Sequence, residues 1–198
     1  MDLARAANRF TDTPILGWDS TTSSRLDTGG CGARQVFDRF VTERPFGQKK
    51  RILRVPEKLD SKWSTIRLQG SEEAFLVEKF NEDVRQGELY SYIYLIHEAS
   101  HFVDVKKETF TTNAAGAEVS NGEQILESVW VDVDRFTGTP SKRMFEDTEY
   151  TIVNITFPSD SIVDSDCFLH TANGDRYNVD EVYYALDLIY GRGKRIGF

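Results

Sequence analysis

The sequence has little cysteine, no extended basic cluster and no long apolar run. Its two cysteines, Cys31 and Cys167, allow at most one disulfide, and neither lies in a CxxC pair that would indicate a zinc ribbon or redox site. They form either one bridge or two separate buried thiols. The longest basic run is residues 49–51 and the net charge is −8, which argues against nucleic acid and acidic membranes as partners. The longest apolar runs, residues 92–96 and 182–186, are far short of the ~20 residues that a membrane span requires.

The composition supports one folded unit. Hydrophobic residues make up 39% and aromatic residues 12% of 198 positions, which is enough to bury one good-sized core. No repeat, low-complexity tract or Pro-rich linker divides the chain, so we predict a single domain over residues 1–198, and we expect a monomer. The amino terminus carries an early acid, Asp2, and no apolar stretch typical of a secretory signal. We therefore expect a secreted protein if a leader has been removed, and otherwise a cytoplasmic one.

Hydrophobic spacing predicts a mixture of helices and strands. Apolar residues recur at helical spacing in 33–43, 72–86 and 178–190. Residues 150–157 alternate and are rich in β-branched side chains, which predicts a strand. Residues 21–32, rich in Ser, Thr and Gly, are predicted to form an irregular surface loop. The expected fold class is α+β.

Two further segments fit either a helix or a strand. In 88–103, aromatic and β-branched residues are abundant, and the alternate residues from Ile93 to Val103 would form one face of a strand. In 124–136, the apolar spacing suits a helix, whereas 129–133 alternates as a strand does. We predict a helix for both segments.

The motif His97-Glu98-Ala99-Ser100-His101 has the HExxH pattern of zinc peptidases. On a helix, residues four apart lie on one face, so two imidazoles reach one Zn²⁺ at about 2.0–2.1 Å. The metal would lower the pKa of its bound water to ~7, and Glu98 would act as the general base that generates the attacking hydroxide. The predicted function is a zinc metalloendopeptidase, a hydrolase acting on a protein or peptide substrate.

A catalytic zinc requires a third protein ligand, and the sequence offers several. One is Asp147, because Tyr150 three residues later would point at the same space and donate a hydrogen bond to the developing oxyanion. The other acidic and imidazole candidates are Glu123, Glu127 and His170. Asp104 is too close in sequence to His101 to share the metal easily, and is expected to orient an imidazole instead.

The segment LIHEASHF at residues 95–102 resembles the deuterolysin group of zinc endopeptidases, the aspzincins. That group takes an Asp ligand from a GTxDxxYG segment, to which the DxxY of residues 147–150 is similar. The resemblance implies Asp147 as third ligand and Tyr150 as transition-state stabiliser. It also implies secretion and a zincin-like fold that is mainly helical with a small sheet.

The alternative to this hypothesis is an all-β sandwich or jelly roll that acts as a non-enzymatic binding or structural module. It would take 90–105, 127–134 and 150–157 as strands, and HExxH would then be accidental. The two hypotheses differ in whether residues 97–101 are helical or extended.

Overall fold

The computed structural model describes residues 13–19, 24–36, 50–55, 58–59, 63–68, 73–135, 151–185 and 188–196 of the chain. The regular structure within these ranges is entirely β. The strands are β1 (Thr13–Asp19), β2 (Ser24–Val36), β3 (Lys50–Val55), β4 (Thr65–Leu68), β5 (Ala74–Arg85), β6 (Glu88–Ala99), β7 (His101–Thr112), β8 (Glu118–Arg135), β9 (Thr151–Phe157), β10 (Cys167–Thr171), β11 (Arg176–Ala185) and β12 (Leu188–Ile196).

The strands form two antiparallel, closed, six-stranded barrels, one after the other along the chain. The first has the order β1-β2-β3-β6-β5-β4 and closes where β4 pairs with β1. The second has the order β7-β8-β9-β12-β11-β10 and closes where β10 pairs with β7. Only Ser100 separates β6 from β7, so the chain passes directly from one barrel to the other.

Each barrel has its own core, built by period-two alternation. In β7, Val103 and Val105 are fully buried, whereas Asp104 between them is only partly buried. Such alternation places successive side chains on opposite faces of the sheet. The core of the first barrel comprises Leu53, Val55, Leu59, Ile66, Phe75, Tyr94 and Ile96. That of the second comprises Val103, Val105, Val129, Val131, Val153, Ile155, Phe157, Val163, Cys167, Leu169, Tyr177, Val179 and Ile189.

The predicted α+β, mainly helical zincin fold is wrong, and the all-β alternative is closer, although the sheets close into barrels and do not form a sandwich. The predicted helix at 72–86 is β5, and 88–103 is β6 followed by the start of β7. The segment 124–136 lies largely in β8, and 178–190 is the β11–β12 hairpin. Helical spacing misled in β5 because both of its faces pack there, with Phe75 in the first core and Leu76 buried against the outer face, so that apolar residues occupy consecutive positions.

Three other predictions concern shorter segments. The strand predicted at 150–157 is confirmed as β9. The surface loop predicted at 21–32 is wrong, since β2 begins at Ser24. Of the helix predicted at 33–43, residues 33–36 belong to β2, and the rest lies outside the described residues. No helix in the described part of the chain is long and apolar enough to cross a membrane.

Glycines on the inner side of β12 give the second barrel room for its larger core residues. A Cβ added at Gly193 would lie 2.7 Å from the backbone oxygen of Asn178 and 3.0 Å from Cδ1 of Ile155. A Cβ at Gly191 would meet the ring of Phe157 at 3.0 Å, with no backbone atom nearer than 3.4 Å. Backbone cannot move aside as a side chain can, so the space at Gly193 is the stricter requirement.

We therefore expect Gly193→Ala to lower the free energy of unfolding by about 1–3 kcal/mol, because an overpacked core forces backbone shifts. Gly191→Ala is the matched control, and its effect is expected to be smaller because the Phe157 ring can shift. Urea unfolding of both variants measures the difference. Equal losses would show that backbone crowding at Gly193 does not limit the packing.

Candidate functional site

The HExxH segment is extended. His97, Glu98 and Ala99 end β6, and His101 begins β7. At about 3.3 Å per residue, four residues of extended chain span roughly 13 Å, against 5–6 Å between neighbours one helical turn apart. The prediction that His97 and His101 share one face of a helix is therefore wrong. Since the aspzincin resemblance rests on that helix, the assignment to this family is wrong too.

His97 is a buried residue between the two barrels. It lies on the outer face of β6, opposite to the face that carries Tyr94 and Ile96 into the first core, and its exposed fraction is 0%. Its Nε2 is 2.9 Å from Oδ2 of Asp132, which lies on the outer face of β8 in the second barrel. The imidazole thus forms a hydrogen bond from one barrel to the other.

A small apolar cluster adjoins this hydrogen bond, since Leu76 is the cross-strand partner of His97 and Trp130 lies two residues before Asp132 in β8. We call the cluster and the His97–Asp132 pair together the inter-barrel contact. The side chains come from β5, β6, β8 and β12. They are Ala74, Leu76, Ala99, Trp130, Leu188 and Tyr190. Arg67 of β4 lies over the Trp130 ring, 5.7 Å from its centroid. The outer faces of the two barrels therefore bury apolar surface against each other around a polar centre.

Two further acidic residues, Asp134 and Glu78, interact electrostatically with residues of the inter-barrel contact. Burial raises the pKa of Asp134, the charge of Asp132 raises it further, and His97 lowers it. Burial likewise raises the pKa of Tyr190 to about 12, with the charge of Glu78 adding to the shift. An imidazole placed among carboxylates compensates part of the cost of burying them.

Ser100, the residue between the barrels, is bound on both sides. Its N–H donates to the carbonyl of Val131 at 2.9 Å, and its Oγ accepts from the N–H of Val133 at 3.0 Å. The same Oγ lies 2.7 Å from Nδ1 of His101. These contacts attach the connecting residue to β8, and they engage the ring nitrogen of His101 that faces Ser100.

Glu98 does not lie beside the two imidazoles. It is adjacent to His97 in a strand and therefore points to the opposite face, the one that carries Ile96 into the first barrel. A general base must reach the water that the metal binds. With the motif extended, Glu98 and His97 are directed to different sides of the sheet.

Two of the other candidate ligands contact each other on the outer surface of the second barrel. Glu123 accepts from Arg176 at 2.5 Å and lies 3.1 Å from Nε2 of His170. Burial lowers the pKa of His170, and the positive charges of Lys106 and Arg176 act in the same direction. The arrangement is an ion-pair network on the surface of the second barrel. His97 lies in β6 of the first barrel and takes no part in it.

Glu127 and Asp104 have structural contacts. Glu127 is 6% exposed and accepts from the Ser161 hydroxyl and from the Ile162 N–H at 3.0 Å. It thereby holds the segment between β9 and β10 against the barrel. Asp104 accepts from the Ser128 hydroxyl at 2.6 Å, and the residue opposite it in the strand pairing is His170, not a histidine of the HExxH motif.

Asp147 and Tyr150 lie outside the described residues, so their predicted roles are untested. In the part of the chain that the structure describes, no three His, Cys, Asp or Glu side chains come together in a group that could hold a metal ion.

The Cys167 thiol is buried and in no disulfide, and it donates to Asp164 at 3.1 Å. Burial raises its pKa to about 11, so the thiol is protonated at neutral pH.

Sequence reasoning missed Asp132 and Ser100. The signal for Asp132 was present, because Val129, Val131 and Val133 alternate with it and place it on the outer face of a strand. For Ser100, nothing in its local sequence indicates that the chain changes barrels there.

Comparison of the chain with protein-family models, with curated proteins and with solved structures finds no match.

Proposed function

We propose that this chain is a non-enzymatic binding module, in which two packed barrels form a scaffold that presents hairpins to another protein surface. One observation carries the proposal: the residues that would make it a zinc peptidase are extended, and His97 is sealed between the barrels with its Nε2 bonded to Asp132. An imidazole with no exposed surface, bonded through Nε2 to a carboxylate, is not placed to hold a metal whose open position must meet a substrate. The motif has a structural explanation that requires no catalysis.

Hairpins that extend past the barrel walls support the binding role. The β5–β6 and β7–β8 hairpins each continue beyond the residues that pair with a third strand. Their projecting parts expose large apolar side chains, which are Val84, Leu89, Phe110, Val119 and Ile125. Several exposed apolar side chains on projecting elements are more typical of an interaction surface than of scattered surface residues.

The β7–β8 hairpin is ordered to its tip without support from the barrel. Asn113 Oδ1 accepts from the N–H groups of Ala115 and Ala117, and the Asn113 N–H donates to the Ala117 carbonyl. Gly116 has φ +81°, a conformation that glycine adopts without strain. A hairpin whose turn is already formed loses little conformational entropy when it docks.

Zinc content and peptidase activity test the proposal. We expect protein purified without added metal to contain far less than one zinc per chain, and His101→Ala to leave that content unchanged. Any casein hydrolysis should be equal in the wild type and in Glu98→Gln, a variant that keeps the size of the side chain and removes its basicity. About one zinc per chain that is lost in His101→Ala, with activity lost in Glu98→Gln, would overturn the proposal.

A further inference from the structure

We propose that Asn121 deamidates through a cyclic imide formed with the backbone nitrogen of Gly122, so that the β7–β8 hairpin carries a self-modification site. Water is the co-reactant, and the products are aspartate or isoaspartate and ammonia. The sequence contains two Asn-Gly pairs, at 121–122 and 173–174, and the structure distinguishes them. The inference goes beyond the proposed function and does not depend on it.

Asn121 is the extra residue of a bulge in β8. On β7, Thr109 lies opposite Gly122 and Phe110 lies opposite Ser120. Asn121 comes between these two pairs and belongs to neither. Gly122 has φ +86°, which glycine adopts without strain, and both Asn121 and Gly122 are exposed. Because a bulge residue is left out of the ladder, the Asn121 side chain can turn toward the next backbone nitrogen at a lower cost than that of a paired residue.

A hydroxyl group activates the side-chain carbonyl of Asn121. Thr111 Oγ1 donates a hydrogen bond to Oδ1 of Asn121 at 3.1 Å. When the Gly122 nitrogen attacks Cγ, negative charge develops on this oxygen, and a donor already directed at it stabilises that charge. The attack joins adjacent residues of one chain, so no second molecule has to be positioned for it.

The attacking nitrogen is connected to a carboxylate through a hydroxyl. The Gly122 N–H donates to Oγ of Ser120 at 3.1 Å, and the Ser120 hydroxyl donates to Oε1 of Glu108 at 2.6 Å. We call Ser120 and Glu108 the proton relay. As the nitrogen attacks, Ser120 takes its proton and passes the hydroxyl proton to Glu108, which serves as the general base.

One bond forms and one bond breaks in the first step. The new bond joins the Gly122 nitrogen to Cγ of Asn121, and the bond from Cγ to the side-chain nitrogen breaks. That nitrogen leaves as ammonia with the proton that Gly122 gave up. Water then opens the imide at either carbonyl, which gives aspartate or isoaspartate. Either product adds a negative charge to a hairpin that has three glutamates and no Lys or Arg in residues 108–125.

The second Asn-Gly pair is bonded differently. The Gly174 N–H donates to the backbone carbonyl of Thr171 at 3.0 Å, in the turn between β10 and β11. A carbonyl oxygen accepts this bond but has no proton of its own to pass on, so it cannot serve as a relay. We therefore expect Asn173 to react more slowly than Asn121, although both are exposed and both precede a glycine with positive φ.

Peptide mass spectrometry of the full chain, incubated at neutral pH, measures both sites in one sample. We expect Asn121 to be converted about tenfold faster than Asn173. Glu108→Gln keeps an acceptor for Ser120 and removes the base, and should slow Asn121 about tenfold, less than a buried general base contributes because the relay is exposed. Thr111→Val removes the donor to Oδ1 and should slow the same site about fivefold. Asn173 should keep its rate in both variants.

Glu118→Gln is the matched control, because it removes one carboxylate from the same hairpin while the Ser120 hydroxyl proton stays with Glu108. It should leave the rate at Asn121 unchanged. A variant that merely loosened the hairpin would speed the reaction, since a mobile chain reaches the attack geometry more often, so slowing cannot come from lost structure. Equal rates at Asn121 and Asn173, or equal effects of Glu108→Gln and Glu118→Gln, would refute the inference. Zinc content decides the proposed function separately.

Discussion

His97→Ala is expected to lower the free energy of unfolding by about 3–5 kcal/mol, although no zinc is lost, because it leaves the buried Asp132 carboxylate without its partner. The substitution also removes a fully buried ring beside its cross-strand partner Leu76, and the cavity left there adds to the loss. Calorimetry should show a lower transition temperature than in the wild type. If the inter-barrel contact makes the barrels unfold together, as the predicted single domain requires, the variant should also show separate transitions.

His101→Ala is the matched control, because it changes the other imidazole of the same motif. His101 is only partly buried, and its ring Nδ1 is hydrogen-bonded to the neighbouring Ser100 hydroxyl. We expect a loss of less than about 1 kcal/mol, the usual size for a partly exposed neutral hydrogen bond. Equal and large losses for the two histidines, both reversed by zinc, would instead indicate a shared metal.

Glu127→Ala is expected to lower the free energy of unfolding by about 2–4 kcal/mol. It removes the acceptor for the Ser161 hydroxyl and the Ile162 N–H, and each unsatisfied buried donor costs about 1–3 kcal/mol. The segment between β9 and β10 should then detach first, since Glu127 holds it against the barrel. Hydrogen exchange at Ile162 and Val163 measures this release, and unchanged protection there would contradict the assigned role.

Glu127→Gln separates the hydrogen bonds from the charge. Gln keeps a carbonyl acceptor, so we expect a stability within about 1 kcal/mol of the wild type at neutral pH. Burial raises the pKa of Glu127 above its ordinary value of 4.5, while the bonds from Ser161 and Ile162 lower it. The native state thus binds more protons than the unfolded state, so this residue's contribution to stability is complete below pH 4.5 and is lost as pH rises through the native pKa.

The measurement for this prediction is urea unfolding of Glu127→Gln and wild type across pH. The difference between them should change from pH 4.5 upward in favour of the glutamine variant, and level off above the native pKa. A difference that is constant over this range would show that the carboxyl does not have a raised pKa in the native state.

Part of the fold could be read from the sequence. Residues 152–155 alternate between partly buried and buried positions within β9, and that strand was predicted from the β-branched alternation of the sequence. The alternate residues from Ile93 to Val103 were recognised as a possible strand face, and they lie in β6 and β7. A helix was predicted for this segment because the chemistry of an HExxH motif requires one, although the local β propensity favoured a strand.

Barrel closure and the burial of His97 could not be predicted, because both depend on contacts between residues far apart in the sequence. Barrel closure joins β1 with β4 and β7 with β10, and sequence periodicity carries no information about such pairings. The buried state of His97 follows from Asp132, which is 35 residues away and in the other barrel. A lone imidazole on the outer face of a strand is predicted to be exposed unless a second barrel covers it.

The conformation of residues 93–105 is the most direct test of the account. Backbone ¹³Cα and ¹³Cβ chemical shifts, recorded with and without added zinc, report helix or strand at each residue. We predict strand shifts on both sides of Ser100, a cross-strand contact between Val103 and Val129, and no response of His97 to the metal. Continuous helical shifts across His97 and His101, with both rings perturbed by one equivalent of zinc, would contradict it.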